Sequence, residues 1–278
     1  MQIRQLKTLI LGIPLLLFGG CNAASGYKNY FVEKLAFLPE KVDAYPPISE
    51  EYITEYWLTT SDGLRLHSFY FEKSESDRLI LFFHGNAGNA YSRLEHANKL
   101  YDMGFNVLVI DYRGYGKSQG EPSEHGLYLD AQSTYEAALK DKGFSSDKIY
   151  LYGRSIGSTT AVELSSRYQV AATVLIAPLS SGRAMAQQMG LGWLSWLGAG
   201  IFDNVTKAKK ISSPILILHG GEDTIVSLSQ GQSLFDAISH QSKEMVIAPL
   251  SGHDDIQHSD EIDFWQTIKD FYSKHSSH

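Results

Sequence analysis

Six short, nearly unbroken apolar runs constrain this chain more than anything else in it: "RLILFF", "NVLVI", "KIYLY", "ATVLIA", "PILILH" and "EMVIAP". Runs this short and continuous mark strands buried on both faces rather than strands with one wet side. Between them lie stretches of helical length. "NAYSRLEHANKLYDMG" is one, a segment over roughly 123–141 another, and a third opens at Ser155. A fourth covers 227–239, opened by Ser227 with Gln230 three residues on, and a last one covers 259–274. Ahead of them "YITEYWLTT" and "LRLHSFYF" flank Ser61-Asp62-Gly63, a turn signal that reads as an antiparallel hairpin. The pattern predicts one α/β domain over 51–274, with a mostly parallel central sheet, an N-terminal antiparallel hairpin and helices on both faces.

Ligands of such sheets sit beyond the carboxyl ends of the strands, so chemistry is expected there. One segment breaks the rhythm. Residues 182–213 are longer than a simple crossover and hold "MGLGWLSWLGAGIF". They predict a small cap insertion in which Trp193 and Trp196 either line an acyl pocket or pack on the core.

"GKSQG" (Gly116 to Gly120) and "GRSIG" (Gly153 to Gly157) both match G-x-S-x-G, the pattern of a serine on a sharp strand-to-helix turn. Context separates them. Ser155 follows the strand "KIYLY" and leads into a helical stretch, whereas Ser118 is followed by Gln119-Gly120-Glu121-Pro122. The residue before a proline avoids helical geometry, so no helix starts directly after Ser118. Ser155 is the candidate nucleophile and Ser118 belongs to a loop. "GKS" also ends a phosphate-binding loop, but the position five before Gly116 is Asp111, not glycine, and a carboxylate there repels phosphate.

A serine hydroxyl needs a base to take its proton and a carboxylate to orient that base. Asp223 follows "PILILHG" and His253 follows "EMVIAPLSG", each just past a strand end, in the order serine, acid, histidine. His219 lies within a strand, His258 at the start of the last helix, and Asp254 and Asp255 are too near His253 in sequence to orient it. "HDDIQHSD" carries no fixed ligand motif, so no metal is expected. The oxyanion would be held by the backbone N–H of Ile156, after the nucleophile, and by that of Asn86 in "HGNAGN".

Together "SDGLRLHSFYF", "HGNAGN", "DYRGYGKSQGEPSE", "YGRSIGS", "PILILHGGEDTIV" and "GHDDI" resemble the α/β-hydrolase domain-containing esterases, over roughly residues 51–272. That group includes eukaryotic protein depalmitoylases and bacterial relatives. The resemblance implies the α/β-hydrolase fold, ester or thioester hydrolysis without a cofactor, the triad Ser155, Asp223 and His253, and a structural role for "DYRGYGKSQG" beside the site. The eukaryotic depalmitoylases carry a cysteine-rich N-terminus; here Cys21 is the only cysteine, so a protein-depalmitoylase substrate does not carry over.

Cys21 ends a different signal. Arg4 and Lys7 precede an apolar run from Leu9 to Phe18, then Gly19 and Gly20, the layout of a signal peptide over 1–20. "LFGGC" resembles a bacterial lipobox, with Phe18 where the pattern has Leu. It implies lipidation of Cys21, a tether over 21–50, and a bacterial envelope lipoprotein held to the membrane by that anchor. A net charge of −7 gives no footing for nucleic acid. The expected protein is a monomeric serine esterase or thioesterase acting on a small acyl substrate. A serine-aminopeptidase-like peptidase is the second reading, and a non-catalytic binding lipoprotein the third.

Overall fold

The computed structural model describes residues 37–190 and 200–276. The strands are β1 (Ile53–Thr59), β2 (Arg65–Phe71), β3 (Leu79–Phe83), β4 (Asn106–Ile110), β5 (Ile149–Arg154), β6 (Ala172–Ile176), β7 (Ile215–Gly220) and β8 (Lys243–Ala248). They form one eight-stranded sheet in the order β1-β2-β4-β3-β5-β6-β7-β8. β1 and β2 pair antiparallel from Ile53↔Phe71 to Thr59↔Arg65, and β2 joins β4 antiparallel with Ser68 opposite Ile110. Every later pairing is parallel. The hairpin turn closes at Gly63, whose φ of +86° suits glycine.

The continuous apolar runs are explained by what lies on each side of them. Leu79, Leu81 and Phe83 of β3 enter one core, and Ile80 and Phe82 enter the other, because successive strand side chains alternate faces. Helices α2 (Glu124–Lys140), α3 (Gly157–Arg167), α5 (Asn204–Ala208) and α6 (Leu228–Ala237) close the first core through Leu127, Val162, Ala208 and Leu234. Helices α1 (Leu94–Asp102) and α7 (Phe264–Lys274) close the second through Leu100, Ile268 and Phe271. Each fully buried Leu, Ile or Phe contributes about 1.5–3 kcal/mol. With helices on both faces β3 to β7 have no wet side to alternate toward, which is why they read as unbroken; the apolar run of β8 is the exception, an edge strand that leaves Ile247 exposed.

Three local expectations are corrected. The last helix begins at Phe264, not residue 259, because Asp263 caps it by accepting from the Gln266 N–H at 3.0 Å. A 3-10 turn at Ile256–His258 precedes it, and Ser259 is extended. Helix α3 starts at Gly157, since Ser155 lies outside it in the left-handed region. Ser227 precedes α6 without a side-chain cap bond, and Gln230 makes no capping box. Its amide instead accepts from the Ser180 N–H at 3.2 Å and donates to Gln188 Oε1 at 2.7 Å.

The cap opens with α4 (Gly182–Gln188), whose N-cap Ser181 accepts from the Ala184 N–H at 3.2 Å. Its far flank is rooted in the core by buried Ile201 and Phe202, with the Phe37 ring edge-on to Phe202 at 6.0 Å. Trp193 and Trp196 fall outside the described residues, as do Cys21 and the whole signal segment. Residues 37–45 lie against the domain: Gly116 N–H donates to Glu40 O at 2.8 Å and Val42 N–H to Gly116 O at 3.0 Å. Among the described residues no helix is long and apolar enough to cross a membrane.

Candidate active site

β5 ends at Arg154 and α3 begins at Gly157, so only Ser155 and Ile156 make the turn between them. Ser155 takes φ +52°, a conformation uncommon for any residue with a Cβ. Its N–H still donates to Ile176 O at 2.8 Å, continuing the β5–β6 ladder to the serine itself. The flanking glycines are steric necessities. A Cβ on Gly157 would collide with the Phe83 carbonyl oxygen, and one on Gly153 would stand 2.7 Å from Gly157 O. Ile156 has helical angles (φ −58°, ψ −31°), so its N–H stands among the orphan donors at a helix start.

Asp223 and His253 come together at the ends of β7 and β8. Nδ1 of His253 lies 2.7 Å from Asp223 Oδ2. Oδ1 of the same carboxylate accepts from the Ile225 and Val226 N–H groups at 2.9 and 2.8 Å, which fixes its plane. Burial opposes the charge on Asp223, yet the bonds from the His219 and His253 rings and the Val226 N–H outweigh it and hold its pKa well below the usual carboxylate range. An ionised acid on Nδ1 keeps the proton on that nitrogen and leaves the Nε2 lone pair as the base. His219, buried in β7, sits 3.5 Å from Asp223 Oδ2 and 2.8 Å from Val226 O. It buttresses the acid loop from inside. Asp254 and Asp255 are engaged elsewhere, on Arg154 and on the Gly252 N–H.

The loop after β3 reaches the nucleophile. A Cβ built on Gly85 would be 3.7 Å from the Ser155 Cβ, so Gly85 passes directly beside the serine and Asn86 follows it in the chain. Asn86 is anchored by its side chain, whose Oδ1 accepts from the Leu38 N–H at 2.9 Å and the Tyr115 hydroxyl at 2.8 Å. The Tyr112 hydroxyl donates to His84 O at 2.9 Å. Both tyrosines come from "DYRGYG", so that turn props up the 84–86 loop. Ser118 is buried in the same turn, donating to Asp111 O at 2.7 Å and accepting from the His67 N–H at 2.8 Å. It is a strut, remote in role from the elbow.

Several groups around the site carry no motif. Arg154 sends its guanidinium to His253 O, Asp254 and Gln257. His84 is fully buried, and desolvation pushes its pKa down to about 4. Gln188 of the cap accepts from the Ser227 N–H at 3.0 Å and donates to Thr224 O at 3.1 Å, joining the cap to the acid loop. Arg154 and His84 fall inside "GRSIG" and "HGNAGN" but at positions to which those patterns assign no role, and the partners of Gln188 lie far off in sequence. Among the described residues, no cluster of His, Cys, Asp or Glu suited to a metal ion occurs.

The chain and its fold find counterparts among known proteins. The chain is similar to the α/β hydrolase domain-containing protein 17B of Homo sapiens, 31% identical over 227 residues, covering 79% of this chain and 76% of that one. It is 36% identical over 182 residues to the α/β hydrolase domain-containing protein aho-3 of Caenorhabditis elegans, where it spans about half of the relative, 53%, and 64% of this chain is covered. Among solved structures, the Pyrococcus furiosus esterase Pf2001 superposes with a TM-score of 0.73 at 20% identity, covering 86% of this chain and 97% of that one. An α/β hydrolase from Vibrio vulnificus gives a TM-score of 0.63 at 22% identity, over 77% of this chain and 90% of that one. The family described as "Serine aminopeptidase, S33" matches residues 74–204 and 187–259. A match across most of the chain, on this sheet and these strand-end residues, places the protein within that family of α/β-hydrolases.

Proposed function

We propose that the protein is a serine hydrolase that cleaves carboxylic ester or thioester bonds through an acyl-enzyme. Ser155 Oγ attacks the carbonyl carbon while His253 Nε2 takes its proton. The imidazolium then returns that proton to the departing alcohol or thiol, and a water activated by the same nitrogen releases the acid and frees Ser155. Asp223 holds the ring and offsets its charge, and the N–H groups of Ile156 and Asn86 receive the oxyanion. The observation that supports this reading most is the His253–Asp223 pair at 2.7 Å, joined through Arg154, which donates to His253 O at 3.0 Å, to the turn that holds Ser155 at φ +52°.

The description of the matching family favours a second reading, a peptidase cleaving N-terminal residues. Against it stands the length of segment 182–213, short in sequence for one that gates a peptide. Export and lipid anchoring at Cys21, at the bacterial envelope, belong to the same proposal and rest on Arg4, Lys7 and the apolar run. A fluorophosphonate probe followed by peptide mass mapping tests the chemistry, with the adduct expected on Ser155. An unlabelled protein, or an adduct on Ser118, overturns the assignment. Hydrolysis measured across p-nitrophenyl esters, acyl-thioesters and aminoacyl amides separates esterase from peptidase.

A further inference from the structure

Arg154 is the residue directly before the nucleophile, and its side chain is bonded entirely to the segment that carries the base. Nη2 donates to the carbonyl oxygen of His253 at 3.0 Å and lies 3.2 Å from Asp254 Oδ1, while Nη1 donates to Gln257 Oε1 at 3.1 Å. The guanidinium is largely buried, at 15% exposure, while Asp254 is 88% exposed. An ion pair so open to water contributes little, so the bonds to His253 O and Gln257 carry the weight of the contact.

The need for such a contact follows from the segment itself. His253 lies in an irregular stretch between β8, which ends at Ala248, and the turn at Ile256–His258. Its neighbours are held by Ser251 N–H to Ala248 O at 3.1 Å, Gly252 N–H to Asp255 Oδ1 at 2.6 Å, Leu250 N–H to Glu261 Oε2 at 2.8 Å and Glu222 N–H to Ser251 O at 3.0 Å, none of which reaches the turn that carries Ser155. Asp223 holds only one atom of the imidazole, which leaves the ring free to swing about that bond. Proton transfer requires Nε2 within about 2.6–3.2 Å of Oγ. A flat, forked donor on the residue next to Ser155 ties the loop to the elbow at the backbone of the histidine, so that base and nucleophile share one frame.

We propose that Arg154 is a positioning residue that sets the distance between His253 and Ser155. This rests on the serine hydrolase reading above. The test compares Arg154→Ala, Arg154→Lys and Asp254→Asn with the wild type on a short p-nitrophenyl ester, with Ser155→Ala as the reference. Loss of a tether that misplaces a reacting group by about 1 Å costs on the order of 100-fold. Arg154→Ala is expected to lose roughly 10- to 100-fold in kcat with KM changed less than about twofold. Added guanidinium ion at millimolar concentration should restore part of that rate in Arg154→Ala and not in Ser155→Ala. Arg154→Lys, which keeps one donor for His253 O, should fall between, and Asp254→Asn should stay close to wild type.

Two results overturn the proposal. One is an Arg154→Ala enzyme with unchanged kcat. The other is a loss that guanidinium does not rescue and that tracks a lowered melting temperature in both Arg154 variants, which marks a plain folding contact. If Ser155→Ala retains full turnover, the hydrolase reading fails on its own evidence, whatever Arg154 does.

Discussion

Two serines in the same five-residue pattern stand in opposite settings because of the backbone around them. Ser155 is strained and faces outward from a strand end, and Ser118 is buried, its oxygen shared by Asp111 O and the His67 N–H. Ser155→Ala should abolish ester turnover with little change in melting temperature. Ser118→Ala should keep kcat and lose about 1–3 kcal/mol of stability, since it leaves a buried N–H without its acceptor. Urea unfolding beside ester kinetics reads both, and a stable but inactive Ser118→Ala protein would contradict the division. His84 makes a pH prediction. Burial lowers its pKa from the ordinary 6.5 to about 4, so the folded chain refuses a proton that the unfolded chain accepts between those values. Stability should therefore fall as pH drops from 6.5 to 4, by up to about 3 kcal/mol, with no such contribution above 6.5. His84→Gln should flatten that slope in urea midpoints measured from pH 7 to pH 4; an unchanged slope would assign the acid sensitivity to other groups.

At the scale of elements, the elbow depends on how closely α3 is pressed against the end of β3. Gly157 fits only because it has no Cβ to meet the Phe83 carbonyl. Gly157→Ala is expected to push the helix start away, costing about 1–3 kcal/mol as overpacking does. Because Phe83 leads into the 84–86 loop, the same shift should lower kcat by at least tenfold, while Gly143→Ala, with open space around its Cβ but a φ of +73° that strains an alanine, loses stability and keeps kcat near wild type. Thermal melts and kcat on one ester distinguish the two substitutions, and equal kcat values would remove the elbow from the argument. The misplaced start of α7 and the capping box that α6 lacks share a cause. Ser259 and Ser227 look like helix caps by composition, but the cap at α7 is made by Asp263, and Gln230 is drawn off by Ser180 and Gln188. Capping residues have alternative partners that only the folded chain presents.

For the whole molecule, the mixed sheet brings Asn86, Ile156, Asp223 and His253, the proposed oxyanion donors, acid and base, to the ends of strands that are distant in the chain and belong to one sheet. The proposed anchor adds one prediction at this scale. Cys21→Ser should release the protein from the membrane fraction of expressing bacteria and remove an acyl mass from the mature N-terminus. A wild-type protein that fractionates as soluble with an unmodified Cys21 would end the lipoprotein reading. What the sequence determined by itself was the parallel sheet and the positions of the strand-end residues: a strand buried on both faces can be read from its apolar run, and Gly153-Arg154-Ser155-Ile156-Gly157 from its place between strand and helix. The proposal of Ser155 over Ser118 rests on the strand before it, the helix after it and Pro122 just beyond Ser118. What the tertiary structure alone decided were the contacts between segments with no shared pattern. Arg154 meets His253 and Gln257 about a hundred residues away, Tyr115 meets Asn86, and Gln188 meets Ser227 and Thr224. Hydrophobic periodicity is a local property of the chain, legible one element at a time. A hydrogen bond between loops depends on how those elements are stacked, and no stretch of sequence contains that information on its own.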